Sequence, residues 1–375
     1  KKKFPNFMGK NNGILTNSGS SANLLMLSTL KSRNFEKRLK DGDKVITPVS
    51  GFPTTVNPIL QTNLSPEFCD IELETLNIDV STIKDNKAKA MIFAHVLGNP
   101  ANMEEVISYC GKDILLLEDC CDALISEYKG KLLGSFGEMS SCSFYPAHHI
   151  TGGEGGFVST NNPNAYKILK SLRGWGGDCY CCGKVRDTVK GACGTRFSNW
   201  IEAFPEHKFD HRYIYSEIGY NLKPIEIQGA FLLEQIKKID EIKRLRNENW
   251  SRLEKIFKKY EEFFIVHHPR EGSDPNWFAF PTTIRDRKVF TRFDFCQELE
   301  NNSIQTRPYF AGNLLLQPAY KNVTDLTTEE RMKNFPVASR VMLDTFFLGV
   351  SPTIKSEQID YIEGIIDQAI LKLTK

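Results

Sequence analysis

The chain has 375 residues, enough for two or three domains with sizeable cores. Its 48 basic and 46 acidic residues are interspersed and leave a net charge of +2, which excludes the concentrated positive field of a nucleic-acid or anionic-membrane binder. No apolar run is long enough to cross a bilayer and no signal-peptide pattern is present, so ten cysteines suit a reducing, cytoplasmic setting where thiols are core residues, metal ligands or nucleophiles rather than disulfides.

The first half alternates strands and helices. "GILTN" (13–17) predicts a strand, followed by "SANLLMLSTLKS" (21–32) at helical spacing. "KVITPV" (44–49), "AMIFAHV" (90–96) and "DILLLED" (113–119) predict further strands, with a helix at "NMEEVISYCG" (102–111) between the last two. "SSCSFYP" (140–146) and "GFVST" (156–160) complete the series. Several of these strands are apolar throughout, as expected when helices cover both faces of a mostly parallel sheet. Residues 174–222 are rich in Gly, Cys, Arg and aromatics with weak periodicity, which marks a long irregular insertion of functional interest. After Pro224, apolar residues recur at helical spacing to about Tyr260, as one long helix or two joined ones. The remainder mixes strand and helix patterns. The expected organisation is an α/β large domain over 1–245, including the insertion, and a smaller α+β domain over 246–375.

Ligands of open parallel sheets sit beyond the carboxyl ends of the strands, and three strand ends carry suggestive residues. After the first, Gly19, Ser20 and Ser21 precede a helix, where free N–H groups and the helix dipole suit a phosphate; an ordinary N-cap gives the same pattern. Asp119 closes "DILLLED", placed either to pair with a protonated ring nitrogen or to cap a helix. The third strand runs into "SFYPAHHITGGEGG", with His148 and His149 adjacent.

A Gly-Ser turn, a strand-end Asp and "SF-x-P" before a basic residue, in that order, resemble the DegT/DnrJ/EryC1/StrS sugar aminotransferases over nearly the whole chain. The resemblance implies the fold-type I, aspartate-aminotransferase-like architecture of pyridoxal-phosphate enzymes. It implies Phe52 of "SGFPTTVN" as the aromatic against the cofactor ring, Ser143 and the Gly19–Ser21 turn at the phosphate, and Asp119 and Asp122 near the ring. Asn221 of "GYNLK" would reach a partner subunit's phosphate, hence a homodimer. Arg307, Phe310, Asn313 and Gln317 would contact a nucleotide-sugar substrate.

One departure redirects the chemistry. The family's aminotransferases place a Schiff-base lysine after "SF-x-P-x", and here that residue is His148. Histidine cannot bond covalently to the cofactor aldehyde but can move a proton near neutral pH. The pattern resembles the family's 3-dehydratases, which work with pyridoxamine 5′-phosphate (PMP), and makes His148 the base and His149 structural. Cysteines divide these enzymes further. In "EDCCDA" and "DCYCC…GACGTRF", 57 residues separate Cys121 from Cys179, one separates Cys179 from Cys181, and eleven separate Cys181 from Cys193. This is similar to the iron–sulfur enzymes acting on CDP-4-keto-6-deoxyglucose in 3,6-dideoxyhexose synthesis, and implies a [2Fe–2S] cluster on Cys121, Cys179, Cys181 and Cys193, fed by an NADH-dependent flavin iron–sulfur reductase. The last interval is longer than that pattern, which leaves Cys182 as the competing fourth ligand. Cys120 and the remaining thiols read as packing residues. The alternatives are a cluster-free dehydratase, a PMP-binding sensor or scaffold without turnover, and a zinc-stabilised or unmetallated set of thiols.

Overall fold

The computed structural model describes residues 4–84, 87–178, 197 and 199–375. Seven strands form the large sheet: β1 (Asn12–Thr16), β2 (Lys44–Pro48), β3 (Ser65–Cys69), β4 (Ala90–Ala94), β5 (Leu115–Asp119), β6 (Met139–Ser143) and β7 (Gly156–Thr160), in the spatial order β1-β7-β6-β5-β4-β2-β3. The sheet is mostly parallel, as the apolar runs predict. Its exception is β7, antiparallel to both β1 and β6, because the segment joining β6 to β7 contains no crossover helix and folds back on itself. The sheet-covering helices are α1 (Gly19–Lys31), α2 (Pro53–Gln61), α3 (Met103–Cys110) and α4 (Pro163–Arg173). Two apolar cores result, with Met91, Phe93 and Phe144 in one and Leu25, Ile92 and Val158 in the other.

The helical stretch after Pro224 is two helices, α5 (Glu226–Ile236) and α6 (Ile239–Lys258). Beyond α6, an antiparallel sheet of β8 (Phe264–Val266), β9 (Ala279–Ile284), β10 (Thr306–Pro308) and β11 (Thr345–Gly349) runs in the order β8-β9-β11-β10. It packs with α7 (Arg292–Asn301) and α9 (Ser356–Leu373) around Phe257, Phe280, Phe295 and Phe346, and α8 (Pro336–Asp344) lies towards the first sheet. Within 174–222 the described residues form a strap and a hairpin. Trp175 N–H donates to Tyr220 O (2.7 Å) and Asp178 N–H to Ile214 O (2.8 Å), while Asn199–Ile201 pairs with Phe204–Phe209. Cys179, Cys181, Cys182 and Cys193 lie outside the described residues.

Candidate active site

Parallel β5 and β6 bring Asp119 and Ser143 to the same edge of the sheet as the start of α1. α1 begins at Gly19, with Ser18 as its N-cap. Ser18 Oγ takes the Ser21 N–H (3.1 Å) and lies 3.0 Å from the Ser21 hydroxyl. Ser21 is therefore occupied by the cap, and Gly19 and Ser20 stand at the open first turn, whose N–H groups have no intrahelical acceptor. Gly19 is required by close approach rather than by φ. A Cβ there would lie 2.6 Å from Ser143 Cβ and 3.0 Å from both Ser143 Oγ and Cys121 Sγ. The turn, Ser143 and Cys121 thus meet in one cradle that only a glycine leaves open.

Asp119 is buried and held from several sides. Oδ2 accepts from Asn23 Nδ2 (2.7 Å) and Thr55 Oγ1 (2.8 Å), and Oδ1 from the Cys121 N–H (3.1 Å). Ser141 Oγ sits 3.4 Å from Oδ1 but gives its single proton to Asn23 Oδ1 at 2.5 Å. A carboxylate has about four acceptor positions, so three donors leave one for a further N–H. Asn23, Thr55 and Ser141 escape the sequence reading. Their signal is a polar residue at a position where the helix or strand pattern calls for an apolar one.

The segment after β6 folds back on itself. Phe144 N–H donates to Gly155 O (2.9 Å), Gly152 N–H to Phe144 O (3.1 Å) and His148 N–H to Tyr145 O (3.0 Å). Gly155 has φ +140°, which a glycine adopts freely. The loop presents His148 with Nδ1 3.3 Å from Asp122 Oδ1, both side chains largely enclosed. His149 points inward, its Nε2 2.8 Å from Asn276 O, and burial pushes its pKa far below the ordinary histidine value. It is a neutral packing residue, as expected.

A groove of about 680 Å³ lies beside this edge, lined by Phe52, Asn57, Arg307, Phe310, Gln317 and Tyr320 among others. Phe52 caps α2, three residues before Thr55, and its ring meets Phe310 edge-on at 5.9 Å. Rings continue from Phe310 through Phe347 (5.8 Å) and Phe278 (6.5 Å) to His148 (5.3 Å), so the groove and the histidine share one aromatic wall. Asn313 is not part of the groove. It is fully buried, Nδ2 donating to Ser339 Oγ (3.0 Å) and Arg331 O (3.3 Å) and Oδ1 accepting the Leu315 N–H (3.1 Å). Asn221 is exposed, its backbone bridged to Gly174.

Cys121 is partly buried beside Asp119, and burial with that carboxylate raises its pKa well above the ordinary thiol value. A free thiolate nucleophile is disfavoured there, whereas a metal would displace the proton. Cys120 is buried in the core. With His95 and Glu118 it forms a compact group, but His95 Nδ1 takes the Ala101 N–H (3.2 Å) and Nε2 faces Glu118 (3.4 Å). Glu118 in turn accepts N–H bonds from Gly134, Phe136 and Gly137 at 2.7–2.8 Å. Both ring nitrogens of His95 are used, so this group is a hydrogen-bond network rather than a zinc site.

A mostly parallel sheet that gathers Asp119, the Gly19–Ser143 turn and His148 at one edge defines a class, and comparison with known proteins places the chain within it. The chain belongs to the DegT/DnrJ/EryC1/StrS aminotransferase family, whose model matches residues 1–367. It is 42% identical over 366 residues to the lipopolysaccharide biosynthesis protein RfbH of Salmonella typhimurium, covering 96% of this chain and 82% of that protein. It is 40% identical over 375 residues to the dTDP-4-dehydro-2,6-dideoxy-D-glucose 3-dehydratase of Saccharopolyspora spinosa, covering 98% and 79%. Among solved structures, the E. coli GDP-4-keto-6-deoxy-D-mannose-3-dehydratase with bound hydrated PLP superposes with a TM-score of 0.81 at 28% identity, covering 97% of this chain and 90% of that one.

Proposed function

We propose that the protein is a PMP-dependent 3-dehydratase acting on a nucleotide-linked 4-keto-6-deoxyhexose. The observation that carries this is His148, which stands where the family's aminotransferases have their lysine, on a turn that sets its imidazole against Asp122 beside the Asp119–Gly19–Ser143 cradle. The cradle fits the cofactor: Gly19, Ser20 and Ser143 for a phosphate, Asp119 for a ring N–H, and Phe52 for the ring face. When bound, PMP supplies an amine for the sugar ketone and a ring that withdraws electrons as the neighbouring hydroxyl leaves. Asp119, held by three donors and left with one acceptor position, keeps the ring nitrogen protonated and so strengthens that withdrawal. His148 moves the proton at the cofactor C4′ atom, with Asp122 orienting its imidazole. Arg307, Phe310 and Gln317 line the groove in which the sugar nucleotide would lie.

The finer reading adds a [2Fe–2S] cluster on Cys121, Cys179, Cys181 and Cys193, supplied with electrons by an NADH-dependent flavin iron–sulfur reductase. Its support is the sequence pattern and the position of Cys121 Sγ against the Gly19 turn. A homodimer is supported by α5, whose one buried side chain is Leu232 while Ile227, Phe231 and Leu233 stay exposed. Apolar side chains left uncovered around a helix call for a partner, here a second copy with Asn221 near its site.

The test is to load the protein with PMP under anaerobic conditions and offer CDP-, dTDP- and GDP-linked 4-keto-6-deoxyhexoses. Loss of the C3 hydroxyl, read by mass spectrometry, is expected for at least one of them. Transfer of an amino group to C4 instead would overturn the proposal, and C3 loss without any dependence on iron or a reductase would remove the cluster from it.

A further inference from the structure

Arg246 lies midway along α6 and is 5% exposed. The part of α6 before it packs into the large-sheet core through Ile239 and Ile242, and the part after it into the C-terminal core through Trp250, Leu253, Ile256 and Phe257. A buried guanidinium ordinarily bonds a carboxylate, because an unpaired buried charge is costly. Among the described residues, Arg246 instead bonds only backbone carbonyls, and these come from two separate segments. Nη1 donates to Phe278 O (3.0 Å) and Trp277 O (3.4 Å), just ahead of β9. Nη2 reaches Ala147 O (3.4 Å) and His148 O (3.5 Å) on the base-bearing turn. Burial lowers its pKa to about 10 and the Asp122 charge opposes that, so the side chain stays cationic at neutral pH. Asp122 is also the acid beside His148 Nδ1. The guanidinium lies 6.0 Å from the Phe278 ring centroid, and the same ring packs against His148.

We propose that Arg246 is a positioning residue for His148, tying the turn that carries the base to the C-terminal sheet that carries the groove. It does this with charged donors on the backbone of residue 148 itself and with a ring shared between guanidinium and imidazole. The segment it grips is firmly seated, since Phe278 N–H donates to Leu97 O (2.8 Å) and Asn276 Nδ2 to Leu124 O (2.8 Å). The base is thereby referenced to a rigid support rather than to its own glycine-rich loop. The inference rests on His148 being the proton-transfer group.

The experiment compares PMP-loaded wild type with Arg246→Lys, Arg246→Met, Phe278→Leu and His148→Asn. Three quantities are read: PMP affinity, the rate at which the cofactor C4′ hydrogens exchange with solvent deuterium, and amide exchange over residues 144–152. Arg246→Lys keeps a cation but reaches fewer carbonyls. It should leave affinity unchanged, slow C4′ exchange by roughly 10–100-fold, as displacements near 1 Å do, and speed amide exchange over 144–152 alone. Arg246→Met should be slower still. If it fails to fold, Phe278→Leu, which removes only the shared ring, should show the same separation of exchange rate from affinity. Wild-type C4′ exchange and wild-type amide protection in both Arg246→Lys and Phe278→Leu would overturn the proposal. If His148→Asn exchanges normally, the functional reading fails instead, and protection over 144–152 still decides whether Arg246 holds the turn.

Discussion

Replacing Gly19 by Ala tests whether the start of α1, Ser143 and Cys121 form one binding cradle. The new Cβ would stand 2.6 Å from Ser143 Cβ and 3.0 Å from Ser143 Oγ and Cys121 Sγ. Carbon atoms attract best at about 3.5–4.0 Å, so close to 1 Å must be recovered by moving α1 or β6. Neither moves easily, because β6 is paired on both sides and buried throughout. Overpacking of this kind costs about 1–3 kcal/mol. Displacing the first-turn N–H groups relative to Ser143 Oγ should also lose at least one bond to the phosphate, about 1.5–3 kcal/mol, or roughly 10–100-fold in PMP affinity. The comparison is Gly364→Ala on α9, where a Cβ would meet nothing within 4 Å. There Ala should stabilise by about 0.5–1 kcal/mol through helix propensity alone. Urea unfolding and PMP titration of both variants give the two numbers. Wild-type PMP affinity in Gly19→Ala, alongside the expected gain in Gly364→Ala, would refute the placement of the phosphate.

Asp70 accepts the Val337 N–H (2.9 Å) and the Ala338 N–H (2.8 Å), capping α8 from a distant segment, so Asp70→Ala should lose about 1–3 kcal/mol in urea unfolding. His267 is buried and neutral, with Nε2 2.8 Å from Thr283 Oγ1 and its pKa lowered to about 4 by burial. An unfolded histidine titrates near 6.5, so the unfolded state binds the extra proton first. Stability should therefore be flat in this group's contribution above pH 6.5 and fall towards pH 4 by about 1.4 kcal/mol per pH unit, a slope that His267→Gln should reduce by one proton. Cys121→Ser should abolish visible iron–sulfur absorption while leaving PMP affinity intact; retained absorption bands would remove Cys121 from the ligand set.

The large sheet was legible because strands covered on both faces carry little but apolar side chains, as in "AMIFA" and "LLLED". The edge strand β3 was not, since "SPEFC" needs cover on one side only and tolerates Pro66 and Glu67 there. α2 escaped for the opposite reason, a proline inside a short helix. The positions of Asp119 and His148 could be read because each closes or follows an unmistakable strand, while the roles expected of them came from the resemblance to the family. Asn313 could not be told from a groove residue, because a buried cap and a ligand contact look alike in "AGNLLLQ" until the partners are known. Arg246 left no local mark: a charged residue at helical spacing reads as solvated surface, and its partners are about 30 and 100 positions away. Sequence pattern reports what a segment buries, and long-range carbonyl capture is invisible to it.

On the proposed function, histidine at position 148 replaces a lysine-anchored cofactor site by one that works through a histidine base. The decisive measurement is borohydride reduction of the pyridoxal-phosphate-loaded protein, read by peptide mass spectrometry beside His148→Lys. The expected result is no stoichiometric cofactor–lysine adduct in the wild type and one adduct per chain, on residue 148, in His148→Lys. A saturable one-to-one adduct on any lysine of the wild-type chain would contradict the claim and return the protein to aminotransferase chemistry.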